Sequence, residues 1–158
     1  MRLLHVIRTL NPVFGGPTDS VRMFVGAHLR AGNEVEVATL ATRCSPDQIH
    51  NPNAVKVVTA ANGRALYFSR ATIPYDRDDA GGIVYRKHLG IYAYRKEALQ
   101  RFPKLPPSTL EAAEKLEQLR FLENGIDIYV SYTPFDTIGV DTEEDLSAVE
   151  AILSKRGN

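Results

Sequence analysis

The sequence predicts an α/β fold built on a mixed sheet, and three patterns carry that expectation. Residues 1–39 read strand, glycine turn, helix, strand. Residues 55–68 read as an antiparallel hairpin around Asn62-Gly63, and residues 108–132 read as a capped helix followed by an alternating strand. Parallel strands need a long crossover and antiparallel strands only a tight turn, so a chain with both signals implies a mixed sheet.

The first strand is the apolar run at residues 3–7, which Phe14-Gly15-Gly16-Pro17 interrupts. Val21, Phe24, Val25 and Leu29 then recur at helical spacing, with Pro17 suited to the first turn and Gly32-Asn33 to the end. Val35, Val37 and Thr39 begin the next strand. This is a Rossmann-like βαβ start, and right-handed crossovers place its strands, 3–7 and 35–42, parallel and adjacent.

After a polar loop at 45–52, Val55 to Val58 and Ala65 to Phe68 flank Asn62-Gly63, a strong hairpin signal. Residues 74–82 are rich in Asp and Gly and read as a mobile loop. A strand at 88–94 leads into a helix at 96–101, which Phe102-Pro103 ends. In Ser108-Thr109-Leu110-Glu111 the hydroxyl and the carboxylate can each satisfy a free amide at a helix start, and the helix is expected to run to Asn124-Gly125. Ile126, Ile128, Val130 and Tyr132 alternate as a half-buried strand. Thr142-Glu143-Glu144-Asp145 opens a last helix, with Leu146, Val149 and Leu153 facing inward and Lys155 and Arg156 complementing its C-terminal dipole.

Length and composition narrow the function. A chain of 158 residues fits one domain, and 44% hydrophobic with 24% charged residues is ordinary globular composition. Nineteen basic and nineteen acidic residues cancel, so no global field favours nucleic acid or an anionic membrane, and neither is expected as a partner. Cys44 is the single cysteine, which excludes an internal disulfide and a zinc-type Cys/His set. No apolar run approaches membrane-spanning length, and a cytoplasmic setting is expected.

Gly15-Gly16 ahead of a helix can present backbone amides to an anion, or serve only as a turn. With residues 1–7 and Gly32-Asn33-Glu34-Val35, these glycines resemble the opening of group-1 glycosyltransferases of the GT-B type. That likeness covers about the first forty residues.

From Ala38-Thr39-Leu40-Ala41-Thr42 onward the resemblance changes. Asn51-Pro52-Asn53-Ala54-Val55-Lys56-Val57-Val58, Ala65 to Arg70 with Ile73-Pro74, and His88-Leu89-Gly90-Ile91-Tyr92-Ala93-Tyr94-Arg95 resemble CMP-Kdo synthetases, the 3-deoxy-manno-octulosonate cytidylyltransferases. Pro107-Ser108 with Leu110-Glu111, Leu116 to Arg120, and Gly139-Val140-Asp141-Thr142 with Glu144-Asp145-Leu146 continue the match in order.

The resemblance implies a truncated nucleotide-diphospho-sugar-transferase-like fold. Residues 1–158 would form one domain, with a glycosyltransferase-like unit at 1–37 and a sugar-binding, dimerising part at 38–158. It also implies that CTP and Kdo, an eight-carbon acid sugar, give CMP-Kdo and pyrophosphate with Mg2+ as cofactor. Arg70, His88, Tyr92, Glu117 and Gln118 would line the Kdo pocket, Asp141 would hold magnesium, and the protein would be a homodimer.

Each of these residues has a plainer reading from the sequence. His88 and Tyr92 fit an ordinary strand, Arg70 a solvated surface, Glu117 and Gln118 the outer face of a mid-helix turn, and Asp141 a helix start. The family's phosphate loop and its Asn-Val-Gln-Gly-Asp-Glu-Pro stretch, which supplies a second magnesium aspartate, have no counterpart in these 158 residues. Impaired catalysis is therefore expected, and a glycosyltransferase fragment or a non-catalytic acid-sugar binder are the alternatives.

Overall fold

The computed structural model describes the backbone of residues 3–6, all of residues 35–136, and the helical positions Glu143 and Glu150. Among the described residues six strands make one sheet: β1 (Leu3–Val6), β2 (Val37–Arg43), β3 (Lys56–Thr59), β4 (Ala65–Ser69), β5 (Arg86–Arg95) and β6 (Ile128–Tyr132). Three short helices follow β5 or precede β6: α1 (Lys96–Arg101), α2 (Thr109–Glu114) and α3 (Leu119–Glu123). A 3-10 turn at Phe102–Lys104 follows α1.

The strand order is β4-β3-β5-β2-β6, with β1 on the remaining edge of β5 beside Tyr92 to Arg95. The mixed sheet is as expected, but the neighbours of β1 are not. Both β1 and β2 run antiparallel to β5, so they are parallel to each other with β5 between them. A crossover fixes the relative direction of its two strands but leaves room for a third, and here that strand comes from much later in the chain. The parallel neighbour of β2 is β6.

Six consecutive residues of β2, Val37 to Thr42, are buried. Val37 and Ala41 join Val57, Phe68, Leu119, Phe121, Ile128 and Val130 in one cluster, while Ala38 and Leu40 join Val35, Ala93 and Tyr129 in another. Alternate side chains of a strand face opposite sides, so β2 is a central strand with both faces covered.

The hairpin β3–β4 forms where Asn62-Gly63 predicts it, with Gly63 at φ 83° and the Asn62 side chain accepting from the Arg64 amide. Its base touches β5 through Lys56 beside Lys87, while its tip reaches β6, where Val130 N–H donates to the Gly63 carbonyl. Arching across in this way, the hairpin lays the fully buried Phe68 onto the sheet. Lys56, also fully buried, donates from Nζ to the carbonyls of Asn51 and Arg70 at 2.8 Å each and pins the base. Burial lowers the pKa of that ammonium group.

The region 108–124 departs from the expected single helix. Ser108 caps α2 by accepting from the Glu111 amide at 3.0 Å, as predicted. The Glu111 carboxylate instead makes a two-pronged pair with Arg120, and Glu123 reaches back to Ser108, Thr109 and the Leu110 amide. An arginine fork matches a carboxylate better than one backbone amide does, so Glu111 leaves its capping role. Lys115 adopts the left-handed conformation at φ 55° and ends α2, and the chain turns through residues 115–118 before α3. Glu117 and Gln118 thus stand in a turn between helices, not mid-helix. Residues 71–85 are irregular and carry the exposed Tyr75.

Candidate functional site

The site starts from an irregularity in β5. Thr39 pairs with Tyr92 and Ala41 with His88, so between these pairs one residue of β2, Leu40, opposes three of β5. The extra length is taken up at Leu89-Gly90-Ile91, where Gly90 sits at φ 66°, a conformation that strains any residue with a Cβ. On a regular strand, residues four apart stand about 13 Å from each other. The bulge shortens that span until the rings of His88 and Tyr92 meet edge to face at 5.3 Å. Bulges of this kind re-aim side chains near functional sites.

A row of rings continues from there. Phe68 meets His88 at 4.9 Å, Tyr92 stacks with Tyr94 at 5.5 Å, Tyr94 lies 5.9 Å from Phe121, and Phe121 lies 4.7 Å from Phe102. Arg120 closes the row, its guanidinium 4.6 Å above the Phe102 ring. Over this floor opens a cleft of about 200 Å³, lined by Tyr92 and Tyr94 from β5, Leu99 from α1, Phe102, Glu117 and Gln118 from the turn, and Phe121 from α3.

The polar groups here are few and incompletely paired. The Tyr92 hydroxyl is buried without a hydrogen-bond partner, which costs about 1–3 kcal/mol in a protein interior. Burial, then Tyr94 and Glu117, pushes its pKa well up; burial and Glu117 push that of Tyr94 up to about 12. Gln118 is only 8% exposed. His88 is pushed down to about 3 by burial, and its Nε2 lies 2.9 Å from the Thr39 hydroxyl. At neutral pH the histidine and both tyrosines are uncharged. They are hydrogen-bonding groups, poorly matched to general acid or base work, which needs a pKa near the working pH.

Of the residues singled out in the sequence, Tyr92, Glu117 and Gln118 line this cleft, and His88 adjoins it through the Tyr92 ring. Arg70 does not line it. Its Nε donates to the Glu114 carbonyl at 2.8 Å and one terminal nitrogen to the Pro52 carbonyl at 3.0 Å, while its amide binds the Glu114 carboxylate. Gly15, Gly16 and Asp141 lie outside the described residues. Among the described residues no group of three or more His, Cys, Asp or Glu side chains is arranged to hold a metal. Thr39 and Gly90 were not singled out in the sequence; a Gly amid the strand run 88–94 was the available sign of a bulge.

Comparison with known proteins agrees with this architecture. A family model described as Cytidylyltransferase matches residues 20–128. A 3-deoxy-manno-octulosonate cytidylyltransferase from Acidobacterium capsulatum is 73% identical over 122 residues, covering 77% of this chain and 50% of that protein. One from Koribacter versatilis is 66% identical, covering 77% and 47%. The chain spans about half the length of these curated relatives. Among solved structures, a CMP:2-keto-3-deoxy-manno-octonic acid synthetase complexed with CTP superposes with a TM-score of 0.78 at 40% identity, covering 87% of this chain and 56% of that one. The mixed sheet is thus part of a known architecture, and the chain belongs to the cytidylyltransferase family.

Proposed function

We propose that this chain carries the sugar-binding part of a 3-deoxy-manno-octulosonate cytidylyltransferase and takes Kdo into the cleft beside Tyr92. The observation that carries the proposal is the buried, unpartnered Tyr92 hydroxyl next to Gln118 and Glu117 on an aromatic floor. A sugar matches such a surface. Its hydroxyls satisfy the tyrosine, amide and carboxylate groups, and its C–H faces cover the rings. Among the described lining residues Glu117 is the one carboxylate; it repels the sugar's acid group, which therefore faces away from it.

In the full reaction the anomeric hydroxyl attacks the α-phosphorus of CTP, a C–O–P link forms, and pyrophosphate leaves. Binding of CTP, homodimer formation and a cytoplasmic setting belong to the same proposal. So does magnesium, which would be held through Asp141 and would neutralise phosphate charge.

His88, Tyr92 and Tyr94, uncharged at neutral pH, bind and orient; none of these three is poised to move a proton. The 158 residues also lack the family's phosphate loop and second magnesium aspartate. Loss of one well-placed electrostatic group typically costs about a hundredfold to a thousandfold in rate. The chain alone is therefore expected to bind Kdo and to release little pyrophosphate. Incubation with CTP, Kdo and magnesium tests this. Release that requires CTP and disappears in Asp141→Ala would show that the chain assembles a complete phosphate site.

A further inference from the structure

We infer that Thr39 is a positioning residue: its hydroxyl fixes His88 in the Nε2–H tautomer, so that Nδ1 is presented as a hydrogen-bond acceptor for a hydroxyl of the bound sugar. The sugar part of this inference rests on the function proposed above.

The assignment follows from counting protons on one oxygen. The Thr39 side chain is fully buried, and its Oγ1 donates to the Ile91 carbonyl at 2.8 Å. A hydroxyl has one proton, so toward His88 Nε2, 2.9 Å away, the same oxygen can only accept. Nε2 therefore carries the hydrogen. The other ring nitrogen is bare and meets no donor among the described residues.

The carbonyl that takes the Thr39 proton belongs to the bulge itself, because Ile91 lies in the segment that brings His88 and Tyr92 together. The Thr39 hydroxyl thus ties bulge and ring into one unit. Among the described residues the ring's aromatic partners, Phe68 and Tyr92, bring no charge that would favour imidazolium, and burial keeps the ring neutral. A neutral ring with a bare Nδ1 selects a donor. It suits a sugar hydroxyl and cannot offset a carboxylate.

Nitrogen-detected NMR on protein labelled in the histidine rings tests both halves, with the His88 signals assigned by their loss in His88→Gln. At pH 7 the wild type is expected to show the Nε2–H pattern for His88, and the Nδ1 signal is expected to shift on addition of Kdo. Thr39→Val, which keeps the shape and removes the hydroxyl, is expected to mix or reverse the tautomers and to weaken Kdo binding about tenfold. Thr39→Ser is expected to restore both.

An Nδ1–H or doubly protonated His88 in the wild type overturns the inference, as does a Thr39→Val protein with unchanged tautomer and affinity. If Thr39→Val does not fold, the wild-type and Thr39→Ser spectra still decide the tautomer. An Nε2–H ring in a protein that shows no response to Kdo overturns the proposed function and the sugar role together. That result is distinguishable from failure of the tautomer assignment itself.

Discussion

Acidification provides a quantitative test of the burial of His88. An isolated histidine titrates near 6.5, and burial in the fold lowers this one to about 3. Between those values the unfolded chain holds a proton that the folded chain refuses. Stability is therefore fully present above pH 6.5 and is lost as pH falls toward 3. At pH 5 the expected loss from this one group is about 2 kcal/mol, with a slope approaching 1.4 kcal/mol per pH unit. Phe68, Tyr92 and Thr39, the described ring and hydrogen-bond partners of His88, carry no charge in this range, and burial is what sets the direction of the shift. Urea denaturation of the wild type and His88→Gln at pH 7 and pH 5 isolates the term, because the remaining histidines are common to both. The difference between the two pH values should shrink by about 2 kcal/mol in the variant. An equal pH dependence in both proteins, or a His88 ring that titrates near 6.5, would refute the reasoning.

Three further outcomes are expected. Tyr92→Phe removes a buried hydroxyl that has no partner in the free protein, so stability in urea should hold or rise by up to about 1 kcal/mol while Kdo affinity falls; a clear loss of stability would mean the hydroxyl is already satisfied. Gly90→Ala places a Cβ at φ 66°, where there is open space but an unfavourable backbone, and should cost about 1–2 kcal/mol in thermal or chemical denaturation; a neutral result would place the bulge elsewhere. Arg70→Ala leaves the Glu114 and Pro52 carbonyls without their charged donor and should cost about 1–3 kcal/mol by the same measurement; an unchanged midpoint would mean that these bonds are exchanged for water at no cost.

What could be read from the sequence was local. The hairpin at Asn62-Gly63, the Ser108 cap and the helix ended by Phe102-Pro103 all follow from the backbone preferences of a few adjacent residues, and they form where expected. What could not be read depends on groups far apart in the chain. Whether β5 slips between β1 and β2 is decided by pairing across some fifty to ninety residues, not by the crossover itself. The break at Lys115 follows from Glu111 turning to Arg120, a competition between two partners that no helical pattern reveals. That break changes the site most, because it moves Gln118 from an expected water-facing helix position to the buried wall of the cleft. Arg70, which the motif places at the sugar, lies outside the lining of this cleft, and its side chain donates to two backbone carbonyls that sequence reasoning did not foresee.

The central claim is that the cleft over Tyr92 and Tyr94 is where the sugar binds. Titration of the purified chain with Kdo, followed by heteronuclear NMR, tests it most directly. Saturable shifts concentrated at Tyr92, Tyr94, Gln118 and Phe121, and greatly weakened in Gln118→Ala, are the predicted result. An absence of saturable shifts, or shifts that centre elsewhere and persist unchanged in Gln118→Ala, would contradict it.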